Sequence, residues 1–309
     1  MINRRNNRVV CFGEVLWDML PAGKQPGGAP MNVAYHLCQL GIDSALISRV
    51  GCDADGEELQ AFLYRMGIPT SFVQKDGMYP TSKVLVALDG DSEVNYDIVT
   101  PVAWDAIEYE DRFDDLIDSA DVFVYGSLAG RHTASRETLL RLLDKSNRYR
   151  LFDINLRAPH YTPETVDTLL QRADAIKLNF RELIEVSAWL GNHSGQEHRG
   201  VELLQERYDL QEIIVTKGAK GASYYTPTSQ YNCPAVPVEV RDTVGSGDAF
   251  LAAFIAQKLK GADMEHILGF ATAMGAYVAT QPGACPSYSV ASFNRFMLES
   301  CPYGVLFKK

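Results

Sequence analysis

The chain has 309 residues, of which 46% are hydrophobic and 22% charged, an ordinary globular composition that excludes a disordered or collagen-like chain. Its formal net charge is 29 − 39 = −10, which argues against a general nucleic-acid binder, because phosphate backbones require clustered Lys and Arg. An anionic small substrate stays compatible, since a few local donors suffice to hold one.

Taken in chain order, apolar β-branched runs alternate with amphipathic helices. Arg8–Phe12 reads as a strand, Asn32–Leu40 as a helix ended by Gly41, Ala45–Val50 as a strand, and Glu57–Met66 as a helix ended by Gly67. Asp121–Tyr125, Arg150–Ile154, Ala175–Leu178 and Glu212–Thr216 read as further strands, with helices at Ser135–Leu143, Pro163–Gln171 and Arg181–Leu190. Ala249–Leu259, Glu265–Thr280 and Ser289–Leu298 make the C-terminal part helical. This rhythm predicts an α/β fold with a parallel sheet covered by helices on both faces.

One stretch breaks the rhythm. Asp89-Gly90 lies between the strand-like runs Ser82–Leu88 and Glu93–Val99, a strong hairpin signal. The first run is apolar on both faces, so both faces need cover. The hairpin is therefore expected in a small separate sheet that folds over something.

Glu14 and Asp18 interrupt the apolar stretch that follows the basic first residues, so no signal-peptide core is read there. Ala249–Ala256 is far too short to span a bilayer. A soluble, cytoplasmic protein with no membrane partner is expected. The six cysteines, Cys11, Cys38, Cys52, Cys233, Cys285 and Cys301, form no C-x-x-C pair and suit reduced thiols. His193 and His198 read as a polar surface loop rather than a metal site.

The chemistry concentrates in the turn from Asp242 to Asp248. A strand-like run (Val236, Val238, Val240) leads into it and an apolar helix leaves it. Gly245 and Gly247 allow unusual dihedrals and clear side chains from the surface. The unpaired N–H groups of a helix start, together with its dipole, favour an anion there. Asp248 sits in the first turn of the same helix. On the turn alone, an anion site beside a base and a plain tight turn capped by Ser246 or Asp248 are equal readings.

Asp242–Asp248 resembles the D-T-x-G-[AS]-G-D signature of the PfkB (ribokinase-like) carbohydrate kinases. Gly27-Gly28-Ala29-Pro30-Met31-Asn32-Val33-Ala34 resembles that family's G-G-x-x-x-N-x-A motif, and Gly51-x-Asp53-x-x-Gly56 with Gly67-Ile68 its next segment. Asn179-x-x-Glu182 resembles its N-x-x-E motif, and Thr216-Lys217-Gly218 with Gly221 and Ala222 its V-T-x-G-x-x-G-A motif. The matches run in family order over nearly the whole chain.

The resemblance implies a ribokinase-like, Rossmann-type three-layer sandwich, a single kinase domain over 1–309. It implies a small β-sheet lid from about 14–22 and 82–99, through which two copies would pair as a homodimer. It implies ATP as phosphoryl donor, a sugar as acceptor, Mg2+, and K+ in many members. Asp248 would be the base, with the amides of Gly245, Ser246 and Gly247 as the anion hole. Asp18, Gly27, Gly28, Asn32 and Arg157 would bind sugar. Asn179, Thr216, Lys217, Gly218 and Gly221 would hold ATP. Glu182 and Asn179 would act on Mg2+ through water, and backbone carbonyls of Asp242 and Val244 with the Gly283 region on K+. Gly13–Pro21 and Asp153-Ile154-Asn155-Leu156-Arg157 resemble the fructokinase branch, which implies fructose phosphorylated at its 6-hydroxyl. Lys24-Gln25 and His160-Tyr161 depart from the commoner form of that branch.

A dinucleotide oxidoreductase is disfavoured, because no G-x-G-x-x-G follows the first strand. A P-loop kinase is disfavoured too, since Glu57 stands where Lys is needed.

Overall fold

The computed structural model describes residues 7–20, 23–88 and 94–300. The first part of the chain comprises β1 (Arg8–Phe12), β2 (Leu16–Leu20), β3 (Gly23–Gly27), α1 (Ala29–Gln39), β4 (Asp43–Gly51), α2 (Ala54–Arg65), β5 (Val73–Asp76), β6 (Ser82–Leu88) and β7 (Val94–Ile98). The middle comprises α3 (Arg112–Asp118), β8 (Val122–Gly126), α4 (Thr133–Lys145), β9 (Tyr149–Asp153), α5 (Pro163–Leu170), β10 (Ala175–Asn179), α6 (Phe180–Trp189), α7 (Glu197–Tyr208) and β11 (Glu212–Thr216). The last part comprises β12 (Ala222–Tyr225), β13 (Gln230–Cys233), α8 (Ser246–Leu259), α9 (Met264–Ala279) and α10 (Val290–Ser300).

Nine strands form one sheet in the order β13-β12-β11-β10-β9-β8-β1-β4-β5. It is parallel from β11 to β5 and antiparallel at the β12 and β13 edge. Alternation along β1 shows how the layers are divided. Val9 and Cys11 pack with α1, α8 and α9, whereas Val10 and Phe12 pack with residues of α3, α4 and α5 on the other face. Helix α8 is apolar all round and buried for most of its length, as a helix trapped between the sheet and α9 must be.

The second sheet has four strands in the order β3-β2-β6-β7. The expected hairpin is there, with β6 antiparallel to β7 and parallel to β2. Its Asp89-Gly90 turn lies outside the described residues. Val84 on one face of β6 is 6% exposed and Leu85 on the other is 44% exposed.

The joint between β6 and the main body is built on Asp53. Asp53 Oδ1 accepts from the Gly56 amide at 2.8 Å, capping α2, and from Thr81 Oγ1 at 2.6 Å. Its Oδ2 accepts from the Thr81 amide at 2.8 Å, and Thr81 Oγ1 also accepts from the Gly51 amide at 2.9 Å. A Cβ on Gly56 would lie 2.3 Å from the Gly51 carbonyl oxygen, so only glycine fits. The Gly51–Gly56 motif thus serves as a structural clamp.

Several expectations are corrected. The run Val236–Val240 is irregular, because Pro234 and Pro237 cannot donate to a ladder. His198 sits on α7 and pairs with Glu202 at 3.1 Å, not in a loop. That helix escaped notice because its buried stripe is only Gly200, Val201 and Leu204. Strands β3, β5, β12 and β13 are only four or five residues long and carry no apolar β-branched run to find, although β12 is buried. Helix α1 begins three residues before Asn32, with Pro30 in its first turn. Cys11, Cys38, Cys52, Cys233 and Cys285 are free thiols, and Cys301 lies outside the described residues. Among the described residues no helix is long and apolar enough to cross a membrane.

Candidate active site

Helix α8 opens on Gly245, whose φ of 74° lies in the left-handed region. A Cβ there would meet Ala284 Cα at 2.6 Å, so glycine lets the helix start press against the 283–285 loop. No side chain caps this start. The Ser246 amide, expected in the anion hole, instead donates to the Thr243 carbonyl at 3.2 Å. The amides of Gly245, Gly247 and Asp248 have no acceptor among the described residues. Asp242 fixes the approach: its Oδ1 accepts from the Val244 amide and its Oδ2 from the Gly283 amide, both at 3.0 Å. The segments at Asp242, Val244 and Gly283 are thereby held together.

Asp248 faces α1. Asn32 Nδ2 donates to Asp248 Oδ2 at 2.8 Å, and the Cys285 thiol donates to Asn32 Oδ1 at 3.3 Å. Burial raises the Asp248 pKa above the usual carboxylate range, against the lowering charge of Lys177 and the Asn32 hydrogen bond. Asp18 on β2 is pushed up to about 6, by burial and then by the Asp248 charge. A Cβ on Gly27 would lie 2.3 Å from Asp18 Oδ2, so the glycine makes room for that carboxylate. Gly28, at φ 110°, passes so close to the Glu14 carbonyl that a Cβ would sit 2.4 Å from it.

Two features went unassigned in the sequence. Glu14 is buried beside these glycines; its Oε1 accepts from the Ala29 amide at 3.2 Å and its Oε2 has no partner. Burial pushes its pKa up to about 7. Arg157 is exposed, and its Nη1 donates to the Leu156 carbonyl at 3.2 Å. Its charge draws the pKa values of Glu14, Asp18 and Asp248 down against burial.

The second is a buried ion pair. Lys177 and Asp153 are partners across β10 and β9, with Lys177 Nζ 3.0 Å from both carboxylate oxygens. A Cβ on Gly247 would lie 3.2 Å from Lys177 Nζ, which places the ammonium directly behind the α8 start. Burial alone would lower the Lys177 pKa, but Asp153, Asp248 and Glu182 more than offset it and the group stays charged. The signal was present: Asp153 and Lys177 each interrupt a strand that a parallel sheet buries on both faces.

Asn179 and Glu182 close the start of α6 on itself. Asn179 Oδ1 accepts from the Glu182 amide at 3.0 Å, and Glu182 Oε2 accepts from the Asn179 amide at 2.8 Å. Glu182 Oε1 accepts from the Leu156 amide at 2.9 Å, tying α6 to the loop that carries Arg157. No group of three or more His, Cys, Asp or Glu among the described residues is arranged to hold a metal.

Thr216 and Gly218 border two adjoining clefts. One, about 460 Å³, runs between Gly221, Val236–Val240 and the apolar sides of α8 and α9. The other, about 640 Å³, is lined by Asn179, Lys217, Lys220 and Glu197. Gly221 is required by its neighbours, since a Cβ would strike the Cys233 carbonyl oxygen at 2.0 Å. Lys217 is not a free charge: its Nζ lies 3.1 and 3.3 Å from the Glu197 carboxylate oxygens.

Comparison with known proteins agrees with this architecture. The model of the pfkB family carbohydrate kinases matches residues 6–291. Probable fructokinase-5 of Arabidopsis thaliana is 30% identical over 94% of this chain and 97% of its own length. A fructokinase from Xylella fastidiosa, solved with bound ATP, shares the fold at a TM-score of 0.85 and 23% identity, over 96% of this chain and 99% of that chain. Fructokinase from Vibrio cholerae O395, solved with fructose, ADP and calcium, gives 0.81 at 25% identity over 94% of this chain and 99% of that chain. A double mutant of it, solved with fructose, ADP and potassium, gives 0.80 at 25% identity over 94% and 98%. This chain thus belongs to the pfkB family of carbohydrate kinases and is a sugar phosphotransferase.

Proposed function

We propose that the protein transfers the terminal phosphoryl group of ATP to the 6-hydroxyl of fructose. The observation that carries this reading is the α8 start, where free amides and a carboxylate oriented by Asn32 sit side by side. An anion and a hydroxyl are the two reactants such a place serves.

In this reading Asp248 accepts the proton of the attacking hydroxyl, and Asn32 holds its carboxylate in the productive orientation. Gly245, Gly247 and Asp248 donate their amides to the migrating phosphoryl group, with the Lys177 ammonium behind them. Such a loose transition state is served chiefly by positioning and charge. Asp18, Gly27, Gly28 and Arg157 surround the sugar. Thr216, Gly218 and Gly221 frame the nucleotide cleft, where the apolar wall of Val236, Val238 and the α8–α9 surface suits a purine. Lys217 shapes that cleft through Glu197 rather than by meeting phosphate.

A divalent cation fits here only as a companion of the triphosphate. Each Glu182 oxygen already accepts one backbone amide and keeps a lone pair for a bound water. Mg2+ typically keeps several waters and leans on few carboxylates; with ATP it neutralises the phosphate oxygens. Asp242 gathers the carbonyl-bearing segments at Val244 and Gly283, which suits K+, as bound in the Vibrio cholerae double mutant. The small sheet acts as the lid, and the bare Leu85 face of β6 pairs with its copy in a homodimer. The free thiols suit a cytoplasmic setting.

A panel of sugars in an ATP-consumption assay tests the assignment. Fructose is expected to give the highest kcat/KM, with fructose 6-phosphate as product. A higher value for ribose, 2-keto-3-deoxygluconate or a nucleoside overturns the choice of sugar. No sugar-dependent consumption at all overturns the mechanism.

A further inference from the structure

A second cavity lies on the opposite helical layer from α1 and α8. It holds about 230 Å³, smaller than a drug-sized pocket but roomy enough for a compact anion, and is lined by Arg131, His132, Arg136, His160, Thr100 and the start of α5. No carboxylate lines it. Two acids lie nearby, Asp97 and Asp105, both acting on the His160 ring; Asp105 is already engaged, since Arg131 Nε donates to its Oδ1 at 2.6 Å and Nη2 to its Oδ2 at 2.8 Å.

Two independent features show a need for acceptors. Helix α4 starts at the cavity with no side-chain cap and no acid in its first turn, and the amides of Thr133, Ala134 and Ser135 have no acceptor among the described residues. Arg131, with a side chain only 3% exposed, lies with its guanidinium carbon 4.0 Å from the Trp104 ring centre, and its Nη1 has no hydrogen-bond partner. Asp105 balances the Arg131 charge, but a buried N–H without an acceptor among the described residues is still costly, and native structures rarely keep one without reason. Arg136 adds a cation that no carboxylate pairs with among the described residues; its Nη1 donates to the Gly130 carbonyl at 3.1 Å and its Nη2 to Thr133 Oγ1 at 3.3 Å.

We propose that this cavity is a binding site for a phosphate monoester of sugar size, separate from the site of phosphoryl transfer. The tetrahedral oxyanion supplies acceptors to the α4 amides and to both arginines. The space left beside it, walled by Pro159 and Tyr161, takes the carbon skeleton. The two sites share one covalent link. The His160 amide donates to the Arg157 carbonyl at 2.7 Å, closing a turn between the cavity and the arginine at the sugar site. Occupancy pins that turn and changes KM for the sugar more than kcat.

The test uses the full chain with its catalytic site filled by sugar and a non-hydrolysable β,γ-imido ATP analogue. Fructose 6-phosphate and inorganic phosphate are titrated separately, with the His132 and His160 rings followed by NMR. Saturable shifts with fructose 6-phosphate are expected, weakened about tenfold or more in Arg136→Gln, the worth of one charge-assisted hydrogen bond. His160→Asn is the second variant, because its ring makes no hydrogen bond within the described residues and its loss leaves the fold intact. Tighter binding of fructose 6-phosphate than of phosphate supports a monoester site. Equal binding overturns the role of the carbon skeleton. No saturable shift, or titrations unchanged in both variants, overturns the site itself.

Discussion

Two helix starts face the same cleft and are built in opposite ways. Helix α6 begins with Asn179 and Glu182 satisfying each other's amides, and Glu182 spends its other oxygen on Leu156. Helix α8 begins with Gly245 and leaves three amides without acceptors. A closed start contributes stability and placement, whereas an open one keeps its donors for a ligand. Family motifs mark both as functional, and the hydrogen bonds separate what each does.

The largest effect should come from the open start. Asp248→Asn keeps the Asn32 contact distance but removes the proposed base, so kcat is expected to fall about 10²–10⁴-fold, the usual worth of general base catalysis. Sugar affinity by calorimetry should hold. Near-normal turnover would break the contrast at its strongest point.

Behind that start, Lys177→Met leaves Asp153 buried and unpaired, with an expected loss of about 3–5 kcal/mol in denaturant unfolding. Adding Asp153→Leu should restore most of it. A single variant as stable as the parent protein would show that the pair is not held as described.

The closed start predicts a smaller change. Asn179→Ala should lower stability by about 1 kcal/mol, the ordinary cost of a lost cap. If turnover fell far more than stability, α6 would have to be regrouped with α8.

Glu14 gives an effect that appears only as pH changes, and its sign is fixed. Its pKa is raised by folding from 4.5 to about 7, so the protonated form favours the native state. That contribution is full below about pH 4.5 and is lost as pH rises through 7. Glu14→Gln, permanently neutral, should therefore gain in Tm over the parent protein as pH goes from 5 to 8. A constant difference across that range would mean that Glu14 stays ionised.

Much of this was legible in the chain. The parallel sheet was readable because β1, β8 and β11 are unbroken apolar runs, and the uncapped start of α8 because two glycines flank it. The N-x-x-E spacing of Asn179 and Glu182 is also a capping-box spacing, so its structural meaning lay in the open. Lys177 and Asp153 each stood out as a charge in a buried strand, but their pairing was not readable, since they stand 24 apart and meet only through the register of β9 and β10. The Ser246 amide was misassigned because its turn bond to Thr243 leaves no trace in residue type. Lys217 was misread for a similar reason: Glu197 comes from a helix whose weak apolar stripe concealed it.

The Asp53–Thr81 joint has a mechanical consequence. Thr81 is gripped by the head of α2, and β6 leaves from the next residue. A swing of the small sheet about that fixed root is a lever, with travel proportional to distance from the pivot. Asp18 pairs with Val84, three residues from the root. If, as proposed, Asp18 meets the sugar and the small sheet is the lid, that carboxylate lies close to the fulcrum and keeps its station while the outer strands move, so the acceptor would be gripped before the cover comes down.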